Sequence, residues 1–196
     1  KTTNSIITAV AVDDANPAHF CAMACEDGSV HILSLVSNET MKALSRVSLQ
    51  SFDTPACSLA FATMNGVSYL FCGLQNGLLA RCVYDSTSGE MNESTLQFVG
   101  VQPVHVSRIV ACQQPAVLAT SNRSLITYAH GTRVKATPLD CANVFCATGL
   151  IAPFVDDAIA LVTSKSLDIV TIESTSSALT GTQIDLQYTP DRKSVV

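Results

Sequence analysis

The four histidines are the first side chains to test for chemistry, because imidazole serves both as a general base and as a metal ligand. They are His19, His31, His105 and His130. None of them has a second histidine or a cysteine at the spacing of a metal site. Each is therefore interpreted as a single packed or exposed histidine. No catalytic or metal-binding residue is assigned among them.

Two acidic pairs, Asp13-Asp14 and Asp156-Asp157, follow apolar runs near prolines in the first and last parts of the chain. Paired carboxylates could bind a cation or act as an acid and a base. The flanking turn residues predict instead that both pairs lie in solvated turns between strands. The sequence has no glycine-rich phosphate loop and no G-x-S-x-G or H-E-x-x-H motif. We therefore predict no enzyme, no cofactor and no small-molecule substrate.

One positively charged side chain belongs to none of these patterns. Arg81 lies in the middle of an apolar run. The sequence leaves open whether it pairs with an acidic neighbour or reaches the surface.

The chain has eight cysteines, which raises the question of disulfide bonds. Free cysteine behaves as a small hydrophobic residue, and no C-x-x-C pair is present to indicate zinc or a redox motif. We predict reduced thiols in a cytosolic or nuclear protein. The cysteines that lie inside apolar runs are Cys21, Cys25, Cys57, Cys72, Cys82, Cys112 and Cys146.

Composition narrows the classes of protein. Hydrophobic residues make up 47% of the 196 residues and charged residues 14%, which is typical of a folded chain. The net charge is −5 and lysines and arginines do not cluster, so direct nucleic-acid binding is not expected. No apolar stretch reaches the roughly 18 residues of a membrane-spanning helix, and no signal peptide is recognised. Both ends are expected to be cuts within a longer protein.

The elements that must position these residues are short strands. Apolar runs of about five to eight residues alternate with turn signals, a pattern typical of all-β proteins. The runs fall into four groups of four, which predicts four-stranded β-propeller blades in a fragment of a larger multi-propeller protein. A β-sandwich would also have short strands, but not this repeated grouping. The predicted blades cover approximately 5–50, 56–100, 104–138 and 144–188, with 189–196 opening a further blade or propeller.

The turn between the second and third strands of each group marks the repeat. Asp27-Gly28 and Asn76-Gly77 predict type I′ hairpin turns, in which both central residues have positive φ. Asn122-Arg123 and Ser164-Lys165 are weaker versions of the same signal.

Several of these segments resemble one known family. Most of the chain is similar, in the same order, to the triple β-propeller family of splicing factor 3b subunit 3. That family also includes the large damaged-DNA-binding subunit of ubiquitin ligases and the largest cleavage and polyadenylation specificity factor subunit. Tyr188–Arg192 departs from the pattern, with an aspartate before the basic pair. The matching segments are Asp27–Leu35, Gly73–Arg81 with Asp85 and Ser88-Gly89, Gly100–Pro103, Ala119–Tyr128, Thr137–Leu139 and Leu186–Pro190.

The resemblance implies a non-catalytic scaffold from the later blades of a second propeller. Its partners would be other protein subunits of a large nuclear ribonucleoprotein complex that acts in branch-site recognition during pre-mRNA splicing. Any nucleic-acid binding would be indirect, through that complex. Alternatives are an adaptor of a cullin-type ubiquitin ligase, a subunit of the pre-mRNA 3′-end machinery, or an enzymatic or sugar-binding propeller. The partner-binding residues stay unknown at this point.

Overall fold

Four antiparallel sheets of four strands each make up the described part of the chain, in which no helix occurs. The computed structural model describes residues 5–35, 45–111, 113–139, 144–152, 155–171 and 180–185, with the backbone alone at 45–49, 151–152, 155–157 and 180–185. The predicted all-β propeller class is confirmed. The predicted boundary at 188–189 lies outside the described residues.

The strands follow one another in chain order within each sheet. Blade 1 contains β1 (Ile7–Val12), β2 (Phe20–Cys25), β3 (Ser29–Ser34) and β4 (Ser45–Ser51). Blade 2 contains β5 (Ala56–Met64), β6 (Val67–Leu74), β7 (Leu78–Tyr84) and β8 (Met91–Phe98). Blade 3 contains β9 (His105–Ala111), β10 (Gln114–Thr120), β11 (Ser124–His130) and β12 (Arg133–Leu139). Blade 4 contains β13 (Cys146–Ala152), β14 (Val155–Val162), β15 (Ser166–Thr171) and β16 (Thr180–Asp185).

The blades pack face to face through their first strands, since β1 contacts β5, β5 contacts β9 and β9 contacts β13. Side chains of successive residues in a strand point to opposite faces of the sheet. In β6, Leu70 therefore joins the core between blades 1 and 2, and Phe71 joins the core between blades 2 and 3. A strand buried on both faces needs apolar residues at consecutive positions, which explains the short apolar runs in the sequence.

The hairpins at Gly28 and Gly77 differ from the predicted type I′ turns. Only the glycines have positive φ, 81° at Gly28 and 86° at Gly77, whereas Asp27 and Asn76 do not. The Gly28 N–H donates to the Cys25 carbonyl at 3.1 Å, which closes a four-residue turn with the glycine last. This is the three-residue loop in which a type I turn is followed by a left-handed glycine. The prediction of turn position was correct and that of turn type was wrong.

A hairpin with the type I′ signature does occur, at Asn65-Gly66. Both residues have positive φ, 52° and 73°, and Met64 pairs directly with Val67 across the two-residue loop. Asparagine is one of the few side chains that tolerate this conformation.

The β6–β7 turn holds the connector between blades 2 and 3. The Val99 and Gly100 N–H groups donate to the Gly77 carbonyl at 3.0 and 3.2 Å. A Cβ atom on Gly77 would lie 1.7 Å from the carbonyl oxygen of Gly100. Residue 77 is therefore glycine for two reasons, its positive φ and the closeness of the connector.

We predict that Gly77→Ala destabilises the junction by about 3 kcal/mol or more, because the connector backbone must move. Gly66→Ala is the matched control: its φ is also positive, but no atom lies within 4 Å of the added methyl group. It should cost only about 1–2 kcal/mol. The measurement is the rate of chymotryptic cleavage after the exposed Phe98, in the full-length protein. Equal cleavage rates in the two variants would contradict the proposed role of Gly77.

Candidate interaction site

The first acidic pair, Asp13-Asp14, has a structural role, because both carboxylates accept hydrogen bonds from other parts of the chain. Asp13 lies after β1 and is buried. Its carboxylate accepts hydrogen bonds from the backbone N–H groups of His19 and Phe20, at 3.1 Å each. These bonds fix the loop between β1 and β2. Removing the carboxylate would leave backbone donors unpaired, at a cost of about 1–3 kcal/mol per buried group.

Asp14 connects blade 1 to the two blades that follow it. It accepts hydrogen bonds from the Thr63 N–H at 3.0 Å and the Thr63 hydroxyl at 3.1 Å, both on β5. The Arg108 guanidinium, on β9, lies 3.9 Å from the same carboxylate, and the arginine side chain is 54% exposed. An exposed ion pair at that distance contributes little, so the hydrogen bonds to Thr63 supply most of the tie.

The prediction that both acidic pairs lie in solvated turns was wrong. Asp13-Asp14 is in a turn, but its carboxylates are occupied by protein donors. Asp13 accepts from the backbone of blade 1 and Asp14 accepts from Thr63 of blade 2. The backbone of Asp156-Asp157 belongs to β14, since β13 and β14 pair as far as Ala152 and Val155. The structure does not describe the side chains of this second pair.

The histidines are distributed over separate strands and loops. His19 and His130 are exposed, and His130 stacks edge-on against Tyr128 with 6.3 Å between ring centres. His31 is half-buried, and its Nε2 lies 3.0 Å from the Ser29 hydroxyl. His105 opens β9. No group of three histidine, cysteine, aspartate or glutamate side chains that could hold a metal ion occurs among the residues described.

The described cysteines are free thiols, and three of the six are buried. Cys72 and Cys82 lie in the core between blades 1 and 2. The hydrogen bond that its S–H donates to Cys82, together with burial, raises the pKa of the Cys72 thiol well above its usual value. Burial also raises the pKa of the Cys57 thiol, which donates to the Gly73 and Val104 carbonyls at 3.3 and 3.1 Å. Thiols in this state are poor nucleophiles, which indicates a structural role.

Arg81 reaches a groove between blades 2 and 3. Its guanidinium carbon lies 5.5 Å from the centre of the Tyr69 ring, a cation–π arrangement. The sequence left open whether Arg81 pairs with an acidic neighbour. Within the described residues no carboxylate forms an ion pair with it. The groove has a volume of about 230 Å³. Its lining includes Phe71, Leu79, Arg81, Thr95, Gln97 and Thr127.

The outer strand of blade 2 borders this groove. Seven of the eight residues of β8 are exposed, including Leu96 at 58% and Phe98 at 60%. β8 is the last strand of its sheet, so one of its edges has no hydrogen-bonded neighbour strand among the described residues. The groove, Arg81 and the edge of β8 together form the candidate interaction site. Sequence reasoning named Arg81 but missed the groove, because it arises between blades.

A second cavity, of about 340 Å³, lies beside the turns of blades 2 and 3. The Asn65 side-chain amide crosses it to donate to the Gly131 carbonyl at 2.8 Å. Its lining also includes Gln114 and His130. The described part of the chain contains no helix long and apolar enough to cross a membrane.

Comparison with known proteins gives a consistent picture. The model of the RSE1/DDB1/CPSF1 second β-propeller matches residues 1–172. Splicing factor 3B subunit 3 of Danio rerio is 30% identical over 193 residues, which cover 91% of this chain and 16% of the relative. Pre-mRNA-splicing factor RSE1 of Mycosarcoma maydis is 30% identical over 179 residues, 87% of this chain and 14% of the relative. Pre-mRNA-splicing factor prp12 of Schizosaccharomyces pombe is 29% identical over 198 residues, 97% of this chain and 16% of the relative.

The chain thus spans about a sixth of the length of the curated relatives it matches. Among solved structures, the crystal structure of RRP9 WD40 repeats superposes with a TM-score of 0.61 at 11% identity. It covers 94% of this chain and 55% of the RRP9 chain. At that identity the likeness concerns the fold, which is that of propeller blades.

We predict that Asp14→Ala loosens β5 while Arg108→Gln does not. Loss of the Thr63 hydrogen bonds should cost about 1–2 kcal/mol, or an approximately 5- to 30-fold faster amide exchange in β5. Loss of the exposed arginine should change exchange by less than about threefold. The measurement is hydrogen exchange of β5 peptides from the full-length protein. A larger effect from Arg108→Gln than from Asp14→Ala would refute this ranking.

Proposed function

The chain belongs to the RSE1/DDB1/CPSF1 second β-propeller family, and on that premise we propose that it is a non-catalytic interaction scaffold of a nuclear pre-mRNA splicing complex. The observation that carries the proposal is the similarity over nearly the whole chain to relatives named as splicing factors. Branch-site recognition is the step that we assign to the complex, and the role of this chain there is to hold protein subunits together.

The geometry supports a scaffold in two ways. Both faces of blades 2 and 3 are buried against neighbouring blades, which makes this part of the structure rigid. Side chains available to a partner lie on the outer strand β8 and in the groove that Arg81 lines. Such surfaces suit protein partners better than a small-molecule substrate, for which convergent polar groups in a concave apolar pocket are expected.

The net charge of −5 also favours protein partners. Affinity for a nucleic acid backbone rests on clustered lysine and arginine, so contact with RNA would be made by other subunits. The parent protein of this chain would be nuclear because its complex is.

The test is affinity purification of the tagged full-length protein from nuclear extract, followed by mass spectrometry of the recovered subunits. We expect spliceosomal subunits, with branch-site regions of introns recovered after cross-linking of RNA to the purified complex. The tag alone is the control. Recovery of cullin and substrate receptors, or of cleavage and polyadenylation subunits, in place of splicing proteins would assign the chain to another branch of the family and overturn the proposal.

A further inference from the structure

The groove between blades 2 and 3 has an electrostatic imbalance. Of the described residues that line it, Arg81 alone is charged. The cross-strand neighbours of Arg81 are Phe71 on β6 and Thr95 on β8, neither of which can neutralise a guanidinium. Stacking on Tyr69 orients the group but leaves its N–H donors available. The groove therefore presents an oriented positive charge in a chain whose net charge is negative.

The opposite wall of the groove has an unsatisfied hydroxyl group. Thr127 lies on β11 and is only 2% exposed, and its Oγ1 has no hydrogen-bond partner. Its strand neighbour Tyr128 belongs to the core between blades 3 and 4, so Thr127 points to the other face, toward blade 2. A buried polar group without a partner costs free energy that an incoming acceptor would recover.

We propose that this groove binds an aspartate or glutamate side chain of an extended peptide segment from a partner protein. The carboxylate would accept hydrogen bonds from the Arg81 guanidinium and from the Thr127 hydroxyl. Arginine is suited to this because its planar fork matches the two carboxylate oxygens. One ligand group thus meets both of the unsatisfied features of the groove.

The neighbouring strand explains why the ligand is a peptide. An extended chain can add to the open edge of β8, with main-chain hydrogen bonds supplying affinity and alternate side chains supplying specificity. Thr95 and Gln97 of β8 line the groove, so a peptide side chain beside them would point toward Arg81. The exposed Leu96 and Phe98 offer apolar contacts to flanking residues. The motif expected is therefore an acidic residue between apolar ones.

This inference is independent of the proposed role in splicing, because the groove would bind its peptide in whichever complex the parent protein serves. The probe is a displayed library of random heptapeptides with aspartate fixed at the central position, with a second library that has asparagine there. Both are selected on the purified full-length protein. We expect the aspartate library alone to enrich.

The affinity of a selected peptide is then measured by fluorescence anisotropy against four variants. Arg81→Gln should weaken binding by about 10- to 100-fold, and Arg81→Lys by less, since it keeps the charge but not the fork. Thr127→Val should weaken binding by about three- to tenfold while leaving the free protein at least as stable as wild type, because an unpaired hydroxyl is removed. The exposed Arg123→Gln is the matched charge control and should change affinity by less than about twofold.

The proposal is overturned if the asparagine library enriches equally or if neither library enriches. It is also overturned if Arg81→Gln and Thr127→Val bind the selected peptide as well as Arg123→Gln does. A loss of binding by Arg81→Gln alone, with Thr127→Val unchanged, would contradict the assigned role of the hydroxyl.

Discussion

The structure depends on one constraint: a four-stranded sheet with two apolar faces can bury them only against other sheets. The three cores found among the described residues lie between blades and not within them. One joins blades 1 and 2, one joins blades 2 and 3, and one joins blades 3 and 4. Each blade between two others is thus stabilised from both sides. Stability of this kind is approximately a sum of nearest-neighbour interfaces.

The same constraint separates structural from functional residues. Polar contacts between blades, such as the hydrogen bond from Thr63 to Asp14, lie at the inner strands, where three blades meet. The outer strands have little to pack against and carry polar and exposed residues, as β8 does. A binding surface can develop there without disturbing the cores. Arg81 lies at the border between the two zones, where its guanidinium stacks on Tyr69 and keeps its N–H donors available.

The sequence predicts the strands well because a central strand buried on both faces of its sheet needs consecutive apolar residues, as in Leu70-Phe71-Cys72. It fails where the outcome depends on another blade. At Gly77 the Gly100 carbonyl of the connector leaves no room for a side chain, and Asp14 is bonded to Thr63 of blade 2. The unpaired hydroxyl of Thr127 could not be predicted from the sequence, since a threonine in a strand indicates only a preference for β structure.

The central claim, that cores between blades determine stability, is tested most directly by two adjacent substitutions. Phe71→Ala removes a side chain from the core shared with blade 3, and Leu70→Ala removes one from the core shared with blade 1; both residues are fully buried. Each should cost about 2–5 kcal/mol. Hydrogen exchange of the full-length protein should then show lost protection in β10 for Phe71→Ala and in β2 for Leu70→Ala. Loss confined to blade 2 in both variants would contradict the account.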